Sequence, residues 1–232
     1  MISLICSVYN SSEYLDNYLS YVNNQLLRDF EIIFVDAKST DDSLEKIEKF
    51  QFREGIKVQI IRLEERVTIY AAWNTAILAS SNDYVMNFNT DDKLFKTALL
   101  VYSTYAQAAP HADVIYHAPK ISTDHNHTHT PHWFLYGDAN DKGTLLGGCV
   151  VGPFPLLKKK SILNIGLFDS SFTISGDYEM WCRLRHHGYT FLQIEECLGV
   201  YYQNPKGVSS EPSQERLDEN IRQDTIIREM YA

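Results

Sequence analysis

Tyr84-Val85-Met86-Asn87-Phe88-Asn89-Thr90-Asp91-Asp92 holds the organisation of the whole chain in miniature. Residues 84–88 form a mostly apolar run of strand length, and the run opens into amides and two adjacent carboxylates. The pattern recurs upstream. Residues 2–8 are an apolar run that leads to Tyr9 and Asn10, and Glu31-Ile32-Ile33-Phe34-Val35-Asp36 ends in an acid. Residues 58–63 make a further run. Near-continuous apolar strands predict a sheet covered on both faces.

Helical spacing fills the gaps. After Asn10-Ser11-Ser12, whose side chains suit a helix cap, Tyr14, Leu15, Tyr18, Leu19 and Val22 recur at helical intervals. Ser39-Thr40-Asp41 offers a second capping cluster ahead of Leu44, Ile47 and Phe50. Ile69, Ala72, Trp73, Ala76 and Ile77 define an amphipathic helix. The alternation predicts an α/β, Rossmann-like fold with a mostly parallel central sheet and helices on both faces. Such sheets bind ligands beyond the carboxyl ends of their strands. Tyr9, Asn10, Asp36, Asp91 and Asp92 should therefore share one rim.

The second half is less regular. Residues 120–148 carry His125, His127, His129 and His132 with Pro131 and the glycines Gly137, Gly143, Gly147 and Gly148, and predict a long loop. A helix is expected from about Asp177, and a terminal helix after Pro212 carries Leu217, Ile221 and Ile227. Nothing resembles a repeat or an interdomain linker, so one domain over residues 1–232 is expected.

Composition narrows the function. The 232 residues are 44% hydrophobic, enough for a sizeable core. A formal net charge of -9 argues against nucleic acid as a partner, because phosphate-backbone binding needs a basic face. Cys6, Cys149, Cys182 and Cys197 form no C-x-x-C pair and read as reduced thiols, which fits a reducing compartment. The apolar start, Met1-Ile2-Ser3-Leu4-Ile5, is too short for a signal peptide, and no window has the length of a membrane span. A cytoplasmic protein is expected, with peripheral membrane contact and oligomerisation left open.

Three constellations carry chemistry. Asp91-Asp92 is an unfavourable pair of like charges unless a cation sits there, and a divalent ion with oxygen ligands is the usual solution. A helix cap ahead of Lys93-Leu94-Phe95 is the alternative use. Asp36 ends a strand and is left free if Asp41 caps the following helix. Gly176-Asp177-Tyr178-Glu179-Met180-Trp181 puts two acids at a helix start, where the macrodipole favours anions. Arg66 stands where it would meet a diphosphate or a base, with a solvated charge as the alternative. His125-Asn126-His127-Thr128-His129 lacks a nearby Cys, so a loop over the acceptor is preferred to a zinc site. Trp133 would stack on a sugar ring or pack in the core.

Ser7-Val8-Tyr9-Asn10, Val35-Asp36 with Ser39-Thr40-Asp41, Asn89-Thr90-Asp91-Asp92, and Gly176-Asp177-Tyr178-Glu179 with Trp181, Arg183 and Leu184 follow one another in the order that resembles the inverting glycosyltransferases of family 2, with the GT-A fold. The resemblance runs from Ile2 to about Ser210. It implies a nucleotide-sugar-binding half over about residues 1–100 and an acceptor-binding, catalytic-base half over about 101–232. Tyr9, Asn10 and Asp36 would line the base pocket, with Arg66 nearby. Asp91 would bond the ribose, and Asp92 would hold Mn²⁺ or Mg²⁺ on the diphosphate. Asp177 would be the general base, Asn74 would face the nucleotide-sugar, and Glu179 and Trp133 would serve the acceptor. The implied donor is a UDP-sugar and the implied acceptor a glycan or lipid-linked glycan. Ala37, Gly176, Glu179 and Asn204 depart from the family pattern. Asn204 stands where many relatives carry a metal-binding His, which makes the metal site weaker. A non-catalytic nucleotide- or sugar-binding module is the alternative, followed by a sugar nucleotidyltransferase.

Overall fold

The structure is a computed structural model and describes residues 1–134, 137–207 and 213–232. The final residues of the resemblance, 208–210, lie outside the described residues.

The chain begins β1 (Ile2–Val8), α1 (Ser12–Asn23), β2 (Phe30–Asp36), α2 (Ser43–Lys49), β3 (Ile56–Arg62), α3 (Ile69–Ala79) and β4 (Tyr84–Asn87). It continues with β5 (Lys93–Leu94), α4 (Ala98–Ala108), β6 (Val114–Tyr116), β7 (Lys120–Ser122), β8 (His132–Trp133) and α5 (Lys142–Gly147). The remainder is β9 (Leu156–Lys158), α6 (Lys159–Ile165), α7 (Gly176–His186), β10 (Phe191–Gln193), β11 (Gly199–Tyr202) and α8 (Gln214–Tyr231).

A seven-stranded sheet has the order β10-β6-β9-β4-β1-β2-β3. Its strands are parallel except β9, which runs antiparallel to both β4 and β6. The mostly parallel α/β sheet expected from strand–helix alternation is thus present. Successive side chains of a strand point to opposite faces, and β1 and β2 are buried on both. Leu4, Cys6, Ile32 and Phe34 pack with Leu15, Tyr18 and Leu99 of α1 and α4. Ile5, Ile33 and Val35 pack with Trp73 and Ile77 of α3 and Trp181 of α7. Burying one such large side chain contributes about 1.5–3 kcal/mol, so two apolar layers hold the sheet between its helices. β3 differs from the expectation of a buried strand. It is the sheet edge, and Lys57, Val58 and Gln59 are exposed. Charged and polar side chains there discourage pairing with another chain.

Register aligns the strand ends. Val8 sits beside Asp36 and Asp36 beside Arg62, whereas β4 stops with Asn87 level with Ile5. The chain leaving β4 therefore starts lower than its neighbours and forms the floor of a crevice. A second sheet, β5-β11-β7-β8, stands over that floor. It revises two expectations. Lys93–Leu94 is a strand paired with β11, so neither Asp91 nor Asp92 caps a helix. Residues 120–148 contain β7, β8 and α5 rather than one long loop, elements too short to leave a periodic signal.

The capping clusters work across the rim. Asp41 accepts from Ser12 N (3.1 Å) and from Ser43 N (3.0 Å), so one carboxylate serves the first turns of α1 and α2. Burial opposes its charge, but the bonds from Ser43 and Ser12 outweigh it and hold the carboxyl below its usual range. The four cysteines are free, and no helix among the described residues is long and apolar enough to cross a membrane.

Candidate active site

A cavity of about 680 Å³ opens over the carboxyl ends of β1 and β4. Tyr9, Asn10, Ala37 and Arg66 line one end. The Arg66 guanidinium lies 4.3 Å from the centre of the Tyr9 ring. A cation over an aromatic face is a favourable contact, and together they make an aromatic–cation wall at this end of the cavity. Asn10 reaches this wall with positive φ, 47°, which Asn tolerates better than most residues. Its Oδ1 accepts from Thr40 N at 2.7 Å. Asp36 is not on the wall. It is 5% exposed, and both its oxygens accept from Ser39 N at 3.3 Å, so it shapes the turn while Ala37 meets the cavity.

The floor separates the two adjacent carboxylates. Asp91 lines the cavity and its Oδ2 accepts from Asn204 Nδ2 at 2.8 Å. Asp92 is 1% exposed and turned away, with Oδ1 accepting from Tyr202 N at 3.0 Å and Oδ2 buried without a partner. Burial raises the pKa of both, more strongly for Asp92, where the charge of Asp91 adds to the effect. Asn204 donates its amide to Asp91 and to Tyr14 Oη (3.1 Å), while its Oδ1 accepts from Lys206 N (2.9 Å). The network fixes the amide with its donor, not its oxygen, toward Asp91.

His127, from the histidine-rich segment, supports this floor. Its Nε2 lies 2.9 Å from the Asp91 carbonyl, and its ring packs against Tyr21 and Tyr202. Asp124 organises the turn, accepting from the backbone of Asn126, Thr128 and His129. Among the described residues no group of three or more His, Cys, Asp or Glu is placed to hold a metal ion. On the floor, Asp91 is the carboxylate that would hold a cation, with ligand oxygens and water completing its shell. That fits the habit of Mg²⁺-like ions, which keep waters and use one or two carboxylates plus substrate phosphates.

Asp177 stands on the cavity wall from the first turn of α7. Tyr70 Oη donates to the Ile174 carbonyl and lies 3.3 Å from Asp177 Oδ1. Burial pushes the Asp177 carboxyl up. Backbone bonds and Tyr70 pull it back, and the charge of Asp224 adds to the rise. Gly176 is required beside it, because a Cβ there would come within 2.8 Å of the Tyr70 ring.

Three further expected site residues stand off the cavity wall. Asn74 makes a reciprocal pair with Phe168, donating to its carbonyl (2.7 Å) and accepting from its N–H (3.0 Å). Glu179, 3% exposed, bonds Arg183 (3.0 Å) and Tyr231 Oη (2.5 Å) and fastens α7 to α8. Trp133 is not core. It is 59% exposed and off the cavity wall, which its neighbour Phe134 lines.

Other wall residues have no site role assigned from the sequence. Trp73 lines the cavity with its Nε1 buried and unpartnered, one helix position from Asn74. Asn87, 4% exposed, and Asn89 also line it, each with Oδ1 buried and unpartnered. Polar atoms left bare in a desolvated wall carry a cost that a ligand hydroxyl or phosphate removes. From the far end of the chain, α8 adds Asn220 and Asp224 to the wall. Between them Gln223, 2% exposed, accepts with one Oε1 from Thr173, Ile174 and Ser175 N at 3.3, 3.0 and 3.1 Å. Gln223→Ala would strand those N–H groups, at about 2–3 kcal/mol and a Tm lower by roughly 4–10 °C for a chain of this size. In the folded protein kcat should fall while donor affinity holds, because the loop they belong to leads into Asp177. Calorimetry and initial rates measure both, and an unchanged Tm would show that the loop needs no such clip.

A wall with an aromatic–cation end, a carboxylate floor and Asp177 and Asp224 opposite is chemically suited to a nucleoside diphosphate and a hydroxyl nucleophile. The family model described as "Glycosyl transferase family 2" matches residues 3–166. Amylovoran biosynthesis glycosyltransferase AmsB of Erwinia amylovora is 25% identical over 208 residues, 86% of this chain and 69% of the relative. The S. aureus TarS fragment 1-349 in complex with UDP-GlcNAc superposes with a TM-score of 0.76 at 16% identity, covering 97% of this chain and 66% of that one. The mannosyltransferase PcManGT from Pyrobaculum calidifontis, in complex with GDP-Man and Mn²⁺, gives 0.73 at 16% identity, covering 97% and 63%. This chain thus spans less than two thirds of either structural neighbour. The sheet order, the rim chemistry and the family match converge: the fold is GT-A, and the chain belongs to glycosyl transferase family 2.

Proposed function

We propose that the protein transfers a sugar, with inversion, from a UDP-sugar to a glycan hydroxyl during polysaccharide synthesis. The observation that carries this reading is the placement of Asp91 and Asp177 on walls of one cavity whose far end is the Tyr9–Arg66 platform. The base stacks on Tyr9 with Ala37 beneath it, and Asn89 and Asn87 present bare amide oxygens to the ribose and sugar hydroxyls. Arg66 and Lys206 line the cavity and balance the diphosphate. Asp91 would hold Mn²⁺ or Mg²⁺, in place of Asp92, whose carboxyl faces Tyr202. When bound, the ion offsets charge on the departing diphosphate. Asp177 takes the proton of the attacking hydroxyl, and attack opposite the leaving group inverts the anomeric centre, the one-displacement logic of inverting hydrolases. The neighbour bound to UDP-GlcNAc supports uridine, and the neighbour bound to GDP-Man and Mn²⁺ supports a metal. The activity is assigned to a cytoplasmic protein, acting on a free or lipid-linked glycan.

Melting in the presence of UDP-, GDP-, dTDP- and CMP-sugars, with and without Mn²⁺, tests the reading. A UDP-sugar at ~100 times its Kd contributes about 2.7 kcal/mol, which raises Tm by roughly 5–10 °C, and the shift should need Mn²⁺. Nucleotide release should follow on adding a glycan acceptor. Stabilisation without turnover over a broad acceptor panel would instead make this a non-catalytic binding module. Silence toward every nucleotide would remove both readings.

A further inference from the structure

The cavity is electrically divided. Among the described residues its two cations, Arg66 and Lys206, belong to the nucleotide side, Arg66 over Tyr9 and Lys206 bonded to Glu13 at 3.2 Å. Among the described residues the wall around Asp177 carries none. There Ser175 Oγ lies 2.7 Å from Asp224 Oδ1 and 3.1 Å from Asn220 Oδ1, with all three side chains on the cavity. Ser175 has one hydroxyl hydrogen to share between two acceptors, so lone pairs of Asp224 and Asn220 remain for a ligand. Among the described residues the Asn220 Nδ2 has no partner, and its N–H groups complete an acceptor-and-donor set. Arg228 comes within 3.9 Å of Asp224 but does not line the cavity.

We infer that Asn220 and Asp224 of α8 form an acceptor subsite that selects an uncharged, hydroxyl-bearing sugar and rejects a polyol-phosphate chain. A vicinal diol matches an amide donor beside a carboxylate acceptor, as both a donor and an acceptor of hydrogen bonds. A phosphodiester at the same place would face Asp177 and Asp224 while the cation nearest Asp224, Arg228, stays off the cavity wall, and like-charge juxtaposition works against the wrong partner. The inference rests on the glycosyltransferase reading and adds to it the chemical class of the acceptor.

The protein loaded with UDP and Mn²⁺ is probed by saturation-transfer NMR. One set of probes comprises methyl glycosides of glucose, galactose and N-acetylglucosamine and their disaccharides. The other comprises glycerol phosphate and ribitol phosphate dimers. At least one glycoside should show transfer that falls by roughly tenfold in Asp224→Asn and in Asn220→Ser, while UDP affinity by calorimetry stays within twofold. Polyol phosphates should show no transfer that depends on Asp224. Asp224→Asn keeps an oxygen for Ser175, and Asn220→Ser gives a second variant should the first lose stability. The inference fails if the polyol phosphates bind in an Asp224-dependent way. It also fails if no glycoside binds, or if glycoside transfer is the same in both variants. Loss of UDP binding in the unmodified protein would be a different failure, that of the glycosyltransferase reading itself.

Discussion

Asp177→Asn should lower sugar transfer by about 10²–10⁴-fold, the usual contribution of a positioned general base, while UDP-sugar affinity stays within about twofold. The substitution keeps the shape and the contact with Tyr70 Oη but removes the proton acceptor. Nothing at the nucleotide end touches it. The pH dependence carries a second signature. Burial raises the Asp177 pKa, so the base is lost by protonation above the ordinary carboxylate range as pH falls. The acid limb of kcat should therefore lie above the usual Asp value, and it should vanish in the residual activity of the Asn variant. Single-turnover rates and donor titrations over a pH series read both. A fully active Asp177→Asn enzyme would remove this residue from its role.

The second large effect separates two neighbours. Asp91→Asn should weaken Mn²⁺-dependent UDP binding by at least about tenfold, the loss of one charge-assisted contact worth ~1.5–3 kcal/mol. Asp92→Asn should leave that binding within a few fold, because its carboxyl is enclosed and bonded to Tyr202 N. The Asn side chain still offers Tyr202 an oxygen, so the folded enzyme should survive. The order read from sequence resemblance, ribose to Asp91 and metal to Asp92, predicts the opposite ranking. Titration of UDP with and without Mn²⁺ on both variants decides between them.

These contrasts mark where the sequence was legible. Apolar runs and helical spacing located β1, β2, β4 and α3, because both faces of a parallel sheet must be buried, and that leaves a strong periodic trace. The rim was legible too, since strand exits are short and their polar residues have few places to go. Which of two adjacent residues faces a ligand was not. Asp91 and Asp92 point in different directions because the chain turns between β4 and β5, and only pairing with β11 fixes that turn. Asn74 was misplaced for a similar reason, since one helix position rotates a side chain by about 100° and leaves Trp73, not Asn74, on the cavity wall. The contribution of α8 was invisible because Asn220, Gln223 and Asp224 sit in a charged helix that resembles any solvated surface. Their partners, residues 173–175, lie far upstream.

The face of α8 turned to the rest of the protein carries two stripes. Gln223 and Ile227, one helical turn apart, are buried and anchor the helix, while Asn220 and Asp224, equally spaced, meet the cavity. Attachment and recognition are thus written on different residues of one element. Substitutions at 220 and 224 can alter what the enzyme glycosylates while the clamp under Asp177 stays in place. A library randomised at those two positions and fixed at 223 and 227 would explore acceptors with the helix still anchored, so this 18-residue helix is a natural handle for redirecting the enzyme.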